Sequence, residues 1–227
     1  ILKSKEAAFP IVIAPFEIVG DSKENVDIAK IIRDNLNRSG QFSALSTDAL
    51  VTNQIDFNFW KEHKKDAVVF GKVEQVSPKV YNIYIYIYDV FSEKSLYQKK
   101  ITVSNTGFRR IAHFLSDKIY NVLLGQKGSF NTRLSYVTVT ENSSGGRTYR
   151  LQISDSDGEN PQTVVKRKTP ILSPSWSKDQ QKLAFVSFIN NRSEVFVKTT
   201  HFKTIDIKLP KFDGIASSPS FHPSGDS

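Results

Sequence analysis

Imidazole is the side chain best suited to moving protons near neutral pH, and this chain has four, spread far apart: His63, His113, His201 and His222. His113 precedes Asp117 by one helical turn, a spacing that can form an acid–base couple. A solvated contact on a helix surface is the simpler reading and the expected one. Asp155-Ser156-Asp157-Gly158 opens like a calcium loop. An EF-hand, however, needs glycine where Asn160 stands and a distal glutamate that is missing, so a hairpin turn is expected. The 227 residues contain no G-x-S-x-G elbow, P-loop, G-x-G-x-x-G after a strand, or H-E-x-x-H pair. Cysteine is absent, which excludes disulfides and thiolate metal or redox sites. No enzyme, cofactor or metal site is therefore expected, and no catalytic residue is assigned.

Two other patterns bear on binding. Tyr84, Tyr86 and Tyr88 alternate with Ile83, Ile85 and Ile87, which directs one type to each face of a strand. The tyrosine face fits a half-exposed sheet surface, or else a stacking platform or a sticky edge for a partner strand. The net charge is +8 and the pI near 9.5. The basic residues stand in small groups, Lys64–Lys65, Lys99–Lys100, Arg109–Arg110 and Lys166–Arg167–Lys168, without interleaved aromatics. A solvated lysine-rich surface explains them, and nucleic acid is not an expected partner.

These side chains sit on two kinds of sequence. In the first half, strands and helices alternate. Ile11 to Ala14 reads as a buried strand. From Asn25 a helix places Ile28, Ile31, Ile32 and Leu36 on one face, with Gly40 at its left-handed end. Phe57, Phe59 and Trp60 mark a short helix. Asp66–Val76, Tyr81–Val90 and Leu96–Val103 read as strands, the last two joined by a turn at Ser92–Ser95. Ile111, Phe114, Leu115, Ile119, Val122 and Leu123 make a further helix ended by Gly125. An α/β domain with a mixed sheet and two main helices is expected over residues 1–127. From residue 128 helical periodicity gives way to short strands and turn clusters such as Asn142–Gly146.

That second half repeats. Ser173-Pro174-Ser175-Trp176-Ser177 recurs 45 residues later as Ser218-Pro219-Ser220-Phe221-His222, and Lys182–Ser187 resembles Arg133–Thr138 at an offset of 49. Periods of this length with short strands between them indicate β-propeller blades, with Trp176 or Phe221 filling the space between neighbours. Residues 128–227 are expected to be an incomplete propeller of about two blades. The chain begins at Ile1 without methionine and stops before a ring can close, so more sequence is expected on both sides.

The quoted residues resemble the TolB family of periplasmic propeller proteins of the Tol–Pal cell-envelope system. Ile13-Ala14-Pro15-Phe16, Arg38-Ser39-Gly40-Gln41-Phe42, Trp60 and Asp66–Gly71 are similar to its α/β domain. Gly128–Val137 is similar to its entry into the propeller, and Ser173–Phe185 to its blade motif. The family commonly has proline where Lys178 stands and glycine where Gln180 stands. The resemblance implies a non-catalytic periplasmic scaffold, peripheral to the membrane. Its partners would be a peptidoglycan-associated lipoprotein and other Tol proteins, and its role outer-membrane integrity and cell division. It assigns no partner-contact residue here. Two rivals remain: part of a prolyl-oligopeptidase-type peptidase whose catalytic domain lies elsewhere, and an anion-binding module using the basic surface.

Overall fold

The computed structural model describes residues 8–20, 27–47, 51, 54–200, 207–210 and 214–224. His201 and the start of the helix expected from Asn25 lie outside these. The chain divides into two compact units, 1–131 and 132–227.

The first unit is built on β1 (Phe9–Ile13), β2 (Glu17–Val19), β3 (Phe42–Leu45), β4 (Ala67–Ser77), β5 (Val80–Asp89) and β6 (Ser95–Ser104). The sheet runs β3-β1-β4-β5-β6, with β2 also on β4. β1 is parallel to β3 and β4, whereas β4, β5 and β6 are antiparallel. The sheet is thus mixed, as expected.

Its helices are α1 (Ile28–Arg38), α2 (Phe57–Glu62) and α3 (Phe108–Leu124). The Asp27 carboxylate caps α1 by accepting from the Lys30 N–H at 2.9 Å. Gly40 follows α1 with φ +71° and Gly125 ends α3 with φ +69°, both left-handed. One sheet face carries Ile11, Ile13, Val69, Ile83, Ile85 and Ile87 against the apolar stripes of α1 and α3. The other packs Val12, Val68, Phe70 and Val90 around Trp60 of α2. Each isoleucine or leucine sealed in this way contributes about 1.5–3 kcal/mol, so the sheet is held from both sides.

The second unit contains β7 (Arg133–Glu141), β8 (Arg147–Asp155), β9 (Gln162–Arg167), β10 (Ile171–Trp176), β11 (Lys182–Ile189), β12 (Arg192–Thr199) and β13 (Ile207–Lys208). They form two antiparallel sheets, β7-β8-β9 and β10-β11-β12-β13. The sheets share one core, in which Leu151, Ile153 and Val165 of the first meet Ile171, Leu183, Phe185 and Phe196 of the second. Arg167 lays its guanidinium carbon 3.9 Å from the Phe196 ring centroid and 5.2 Å from that of Phe185, a cation–π contact spanning the two sheets.

The first copy of the serine–proline repeat lies largely within a strand. Pro174 lies inside β10, an edge strand whose register shifts between Leu172 and Ser175. An edge bulge is where a strand tolerates the missing N–H. Ser173 enters it at φ +48°, and Ser218, its counterpart in the second copy, has φ +46°. The two copies thus share a backbone conformation rare for serine.

The turn after the first copy is closed by Ser177. Its N–H donates to the Lys182 carbonyl at 3.0 Å, its hydroxyl donates to the Asp179 carboxylate at 2.6 Å, and its Oγ accepts the Lys182 N–H at 2.9 Å. Gln180 sits there at φ +58°, where a side chain is strained and glycine is not. Gln180→Gly is expected to raise stability by about 0.5–1 kcal/mol, the strain relief being partly offset by the flexibility of glycine in the unfolded chain. A rise in the thermal midpoint of the second unit is the readout, and an unchanged or lower midpoint would contradict it.

Candidate functional site

His63 is exposed; its Nδ1 lies 2.8 Å from the Phe59 carbonyl and its ring centroid 4.1 Å from that of Phe59. His222 is also exposed and pairs with the Ser224 hydroxyl at 2.8 Å. His113 is only 2% exposed, which corrects the expectation of a helix-surface contact. Its Nδ1 lies 2.9 Å from the Asn35 amide nitrogen, which also donates to Ser116 Oγ at 2.9 Å. Its expected partner, Asp117, instead accepts the Phe130 N–H at 2.7 Å and the Asn131 N–H at 3.2 Å.

Asp155–Gly158 forms the β8–β9 turn. Gly158 donates to the Asp155 carbonyl at 3.0 Å, and the Asn160 amide donates to the Asp155 carboxylate at 2.9 Å. The Asp157 carboxylate accepts the Glu159 N–H at 3.1 Å, so both carboxylates take part in the hairpin expected here.

Asp117 has a structural task that its sequence context did not disclose. It ties the segment leaving α3 back onto the helix, and a Cβ on Gly128 would collide with its carboxylate and lie 2.9 Å from its Cα. Asp117→Ala is expected to cost about 1–3 kcal/mol, since two backbone donors lose a charged acceptor. Hydrogen exchange at the Phe130 and Asn131 amides is the direct measure, and unchanged protection there would refute the anchoring role.

The tyrosine face is ordered from one end to the other. Tyr86 and Tyr88 stack on Phe70 at centroid distances of 5.0 and 5.9 Å, so part of the stripe is internal packing. Tyr84 is flanked by Lys72 of β4 and Lys100 of β6, whose ammonium groups lie 5.8 and 5.6 Å from its ring centroid. Its hydroxyl donates to Glu74 at 2.9 Å. That hydrogen bond, aided by Lys72 and Lys100, holds the Glu74 carboxyl below the usual carboxylate range. The arrangement presents fixed charges and an aromatic ring, which suits binding of a polar partner surface and supplies no nucleophile.

In the second unit a cleft of about 530 Å³ opens beside the β11–β12 hairpin, lined by Phe188, Arg192, Glu194, Leu209 and Ile215 among others. Glu194 of its lining is 2.6 Å from Lys208, and Ile215 is 89% exposed. No described helix is long and apolar enough to cross a membrane.

Comparison with known proteins places this geometry. Residues 1–96 match the model of the TolB amino-terminal domain, and residues 120–227 match that of the TolB beta propeller domain. The chain belongs to the TolB family. A Tol-Pal system protein TolB from Ruthia magnifica subsp. Calyptogena magnifica is 56% identical over 99% of this chain and 53% of its own length. The TolB of Vesicomyosocius okutanii subsp. Calyptogena okutanii is 51% identical over 100% of this chain and 53% of its own. The crystal structure of TolB from Acinetobacter baumannii superposes with a TM-score of 0.83 at 32% identity, covering 99% of this chain and 55% of that one. The chain spans about half the length of the TolB relatives it matches. The family resemblance read from Asp66–Gly71, Gly128–Val137 and the serine–proline repeat is thereby established, as is the α/β domain followed by propeller sheets.

Proposed function

We propose that this chain is part of a non-catalytic periplasmic scaffold of the Tol–Pal envelope system. Residues 1–127 would form its α/β domain and residues 128–227 the opening blades of a propeller that docks a peptidoglycan-associated lipoprotein. The observation that carries this reading is the 56% identity to a Tol-Pal system protein over nearly the whole chain. The physical character of the molecule supports it. His113 is bonded to Asn35 within the core of the first unit, Asp155 takes part in the β8–β9 hairpin, and the two blade sheets share one apolar core. Function would then lie in docking preformed surfaces, with contacts to other Tol proteins and a peripheral position at the membrane.

The test is deletion of the gene in the source bacterium, with complementation by the whole gene. Leakage of periplasmic protein, delayed constriction of the outer membrane at division, and recovery of the lipoprotein with a tagged copy are the expected results. A deletion strain with an intact barrier and normal constriction would sink the reading.

A further inference from the structure

β6 is the edge of the first sheet, with β5 as its sheet neighbour. Seven of its ten residues are exposed, among them Gln98, Lys99, Lys100, Thr102 and Ser104. Its register against β5 is unbroken from Tyr97, opposite Ile87, to Ser104, opposite Val80, and the irregularity is confined to the Ser95 end. An edge of this kind presents alternate N–H and C=O groups outward, a template for one more strand.

The side chains on the edge choose among occupants. Lys100 lies opposite Tyr84 on the tyrosine face, and Lys99, one residue earlier, lies opposite Ile85 and so projects to the other face. Two ammonium groups therefore straddle the middle of the edge, one on each side of any strand laid against it. Tyr84 holds the Lys100 ammonium 5.6 Å from its ring centroid, which limits the freedom that side chain would lose on binding. β6 carries no carboxylate. Of the acids on neighbouring elements, Glu74 shares the tyrosine face and is engaged by Tyr84, and Glu93 pairs with Lys61. A second copy of the chain is disfavoured, because antiparallel pairing about the strand centre sets Lys99 and Lys100 against their own counterparts. An anionic membrane is a poorer fit, since lipid recognition draws on clusters of about 4–8 basic residues.

We propose that β6 accepts an extended acidic peptide segment of a partner protein as an added strand. Backbone bonds to the edge supply affinity, and Lys99 and Lys100 read adjacent carboxylates on the two faces of the incoming strand. This goes beyond lipoprotein docking by the propeller and does not depend on it.

The probe is an eight-residue peptide of threonine and valine with a central aspartate–glutamate pair, fluorescently labelled and titrated with the whole chain. Its controls are the asparagine–glutamine version, a version N-methylated at alternate backbone positions, and vesicles containing phosphatidylglycerol. Saturable binding is expected, at least tenfold weaker for the amide peptide and for the Lys99→Glu/Lys100→Glu protein, and lost on N-methylation. Circular dichroism checks that the double variant is folded, and the N-methylated peptide tests the same idea on the unmodified protein. Absence of binding, binding that survives N-methylation or charge reversal, self-association through β6, or preference for the vesicles would each overturn the proposal. Lipoprotein recovery by the Lys99→Glu/Lys100→Glu protein is expected to be unchanged, which separates this site from the propeller.

Discussion

Replacing Gly71 by alanine is expected to destabilise the first unit by about 3 kcal/mol or more, at the upper end of overpacking penalties. Gly71 sits mid-way along β4, opposite Ile85 and between Val69 and Val73 on the helix-covered face. A methyl group built there would overlap the Phe16 ring and the backbone carbonyl oxygen of Tyr84. The ring can swing aside, at the expense of its packing. The carbonyl belongs to the β4–β5 ladder and can retreat only by loosening the strand pairing on which both faces of the core depend. Phe16→Ala in the Gly71→Ala background should therefore recover only a minor part of the loss. Urea unfolding followed through Trp60 fluorescence, with Trp176 replaced by phenylalanine, isolates the first unit. A free energy within about 0.5 kcal/mol of the parent, the range of an innocuous substitution, would show that the sheet gives way more easily than its geometry indicates.

Gly71 also shows what the sequence conveys and what it withholds. Asp66–Gly71 was recognisable as a family segment and as the start of a strand, because a run of apolar residues has a period and a length. The reason for glycine was not readable, since Phe16 and Tyr84 are remote in sequence and meet it only after the chain has folded. The same division recurs elsewhere. The alternation of Ile83, Ile85 and Ile87 with tyrosines announced two faces, and the isoleucines are fully buried. It could not announce that Tyr86 and Tyr88 stack on Phe70 while Tyr84 is flanked by lysines. The helices over Ile28–Arg38 and Phe108–Leu124 followed from their stripes and their closing glycines. β10 did not follow, because Pro174 reads as a strand breaker unless the bulge that accommodates it is known. His113 is buried although its spacing to Asp117 suggests a pair on the helix surface. It lies one residue past Ala112 and two before Leu115, within the buried stripe of α3. Asn35 carries the matching signal in α1, three residues after Ile32 and seven after Ile28.

That buried pair supports the second large effect. Asn35 is 1% exposed, His113 2% and Ser116 0%, in an otherwise apolar seam between α1 and α3. Arg38 donates to Asn35 Oδ1 at 2.9 Å, which fixes the orientation of the amide and turns both of its hydrogens toward α3. Ser116 gives its own hydrogen to the Ala112 carbonyl at 2.8 Å, so its oxygen is left to accept from Asn35. With an amide N–H pointing at it, His113 Nδ1 must be the acceptor, and the ring is in its Nε2–H form. The network is directional throughout, and its removal at one point leaves buried partners without their bonds. Asn35→Ala is expected to cost about 2–3 kcal/mol, more than the lost volume alone explains. Asn35→Leu combined with His113→Leu and Ser116→Ala removes the polar groups together and should recover most of that loss, as apolar replacements of buried networks often do. If Asn35→Ala cost no more than about 0.5 kcal/mol, the bonds would be incidental to the helix pairing. If the triple variant were as unstable as the single one, packing around Asn35, and not its hydrogen bonds, would be what joins α1 to α3. Recovery in the triple variant would instead mean that the bonds contribute little net stability. They would fix the register of the two helices, because only one alignment puts the Asn35 amide within reach of both His113 and Ser116.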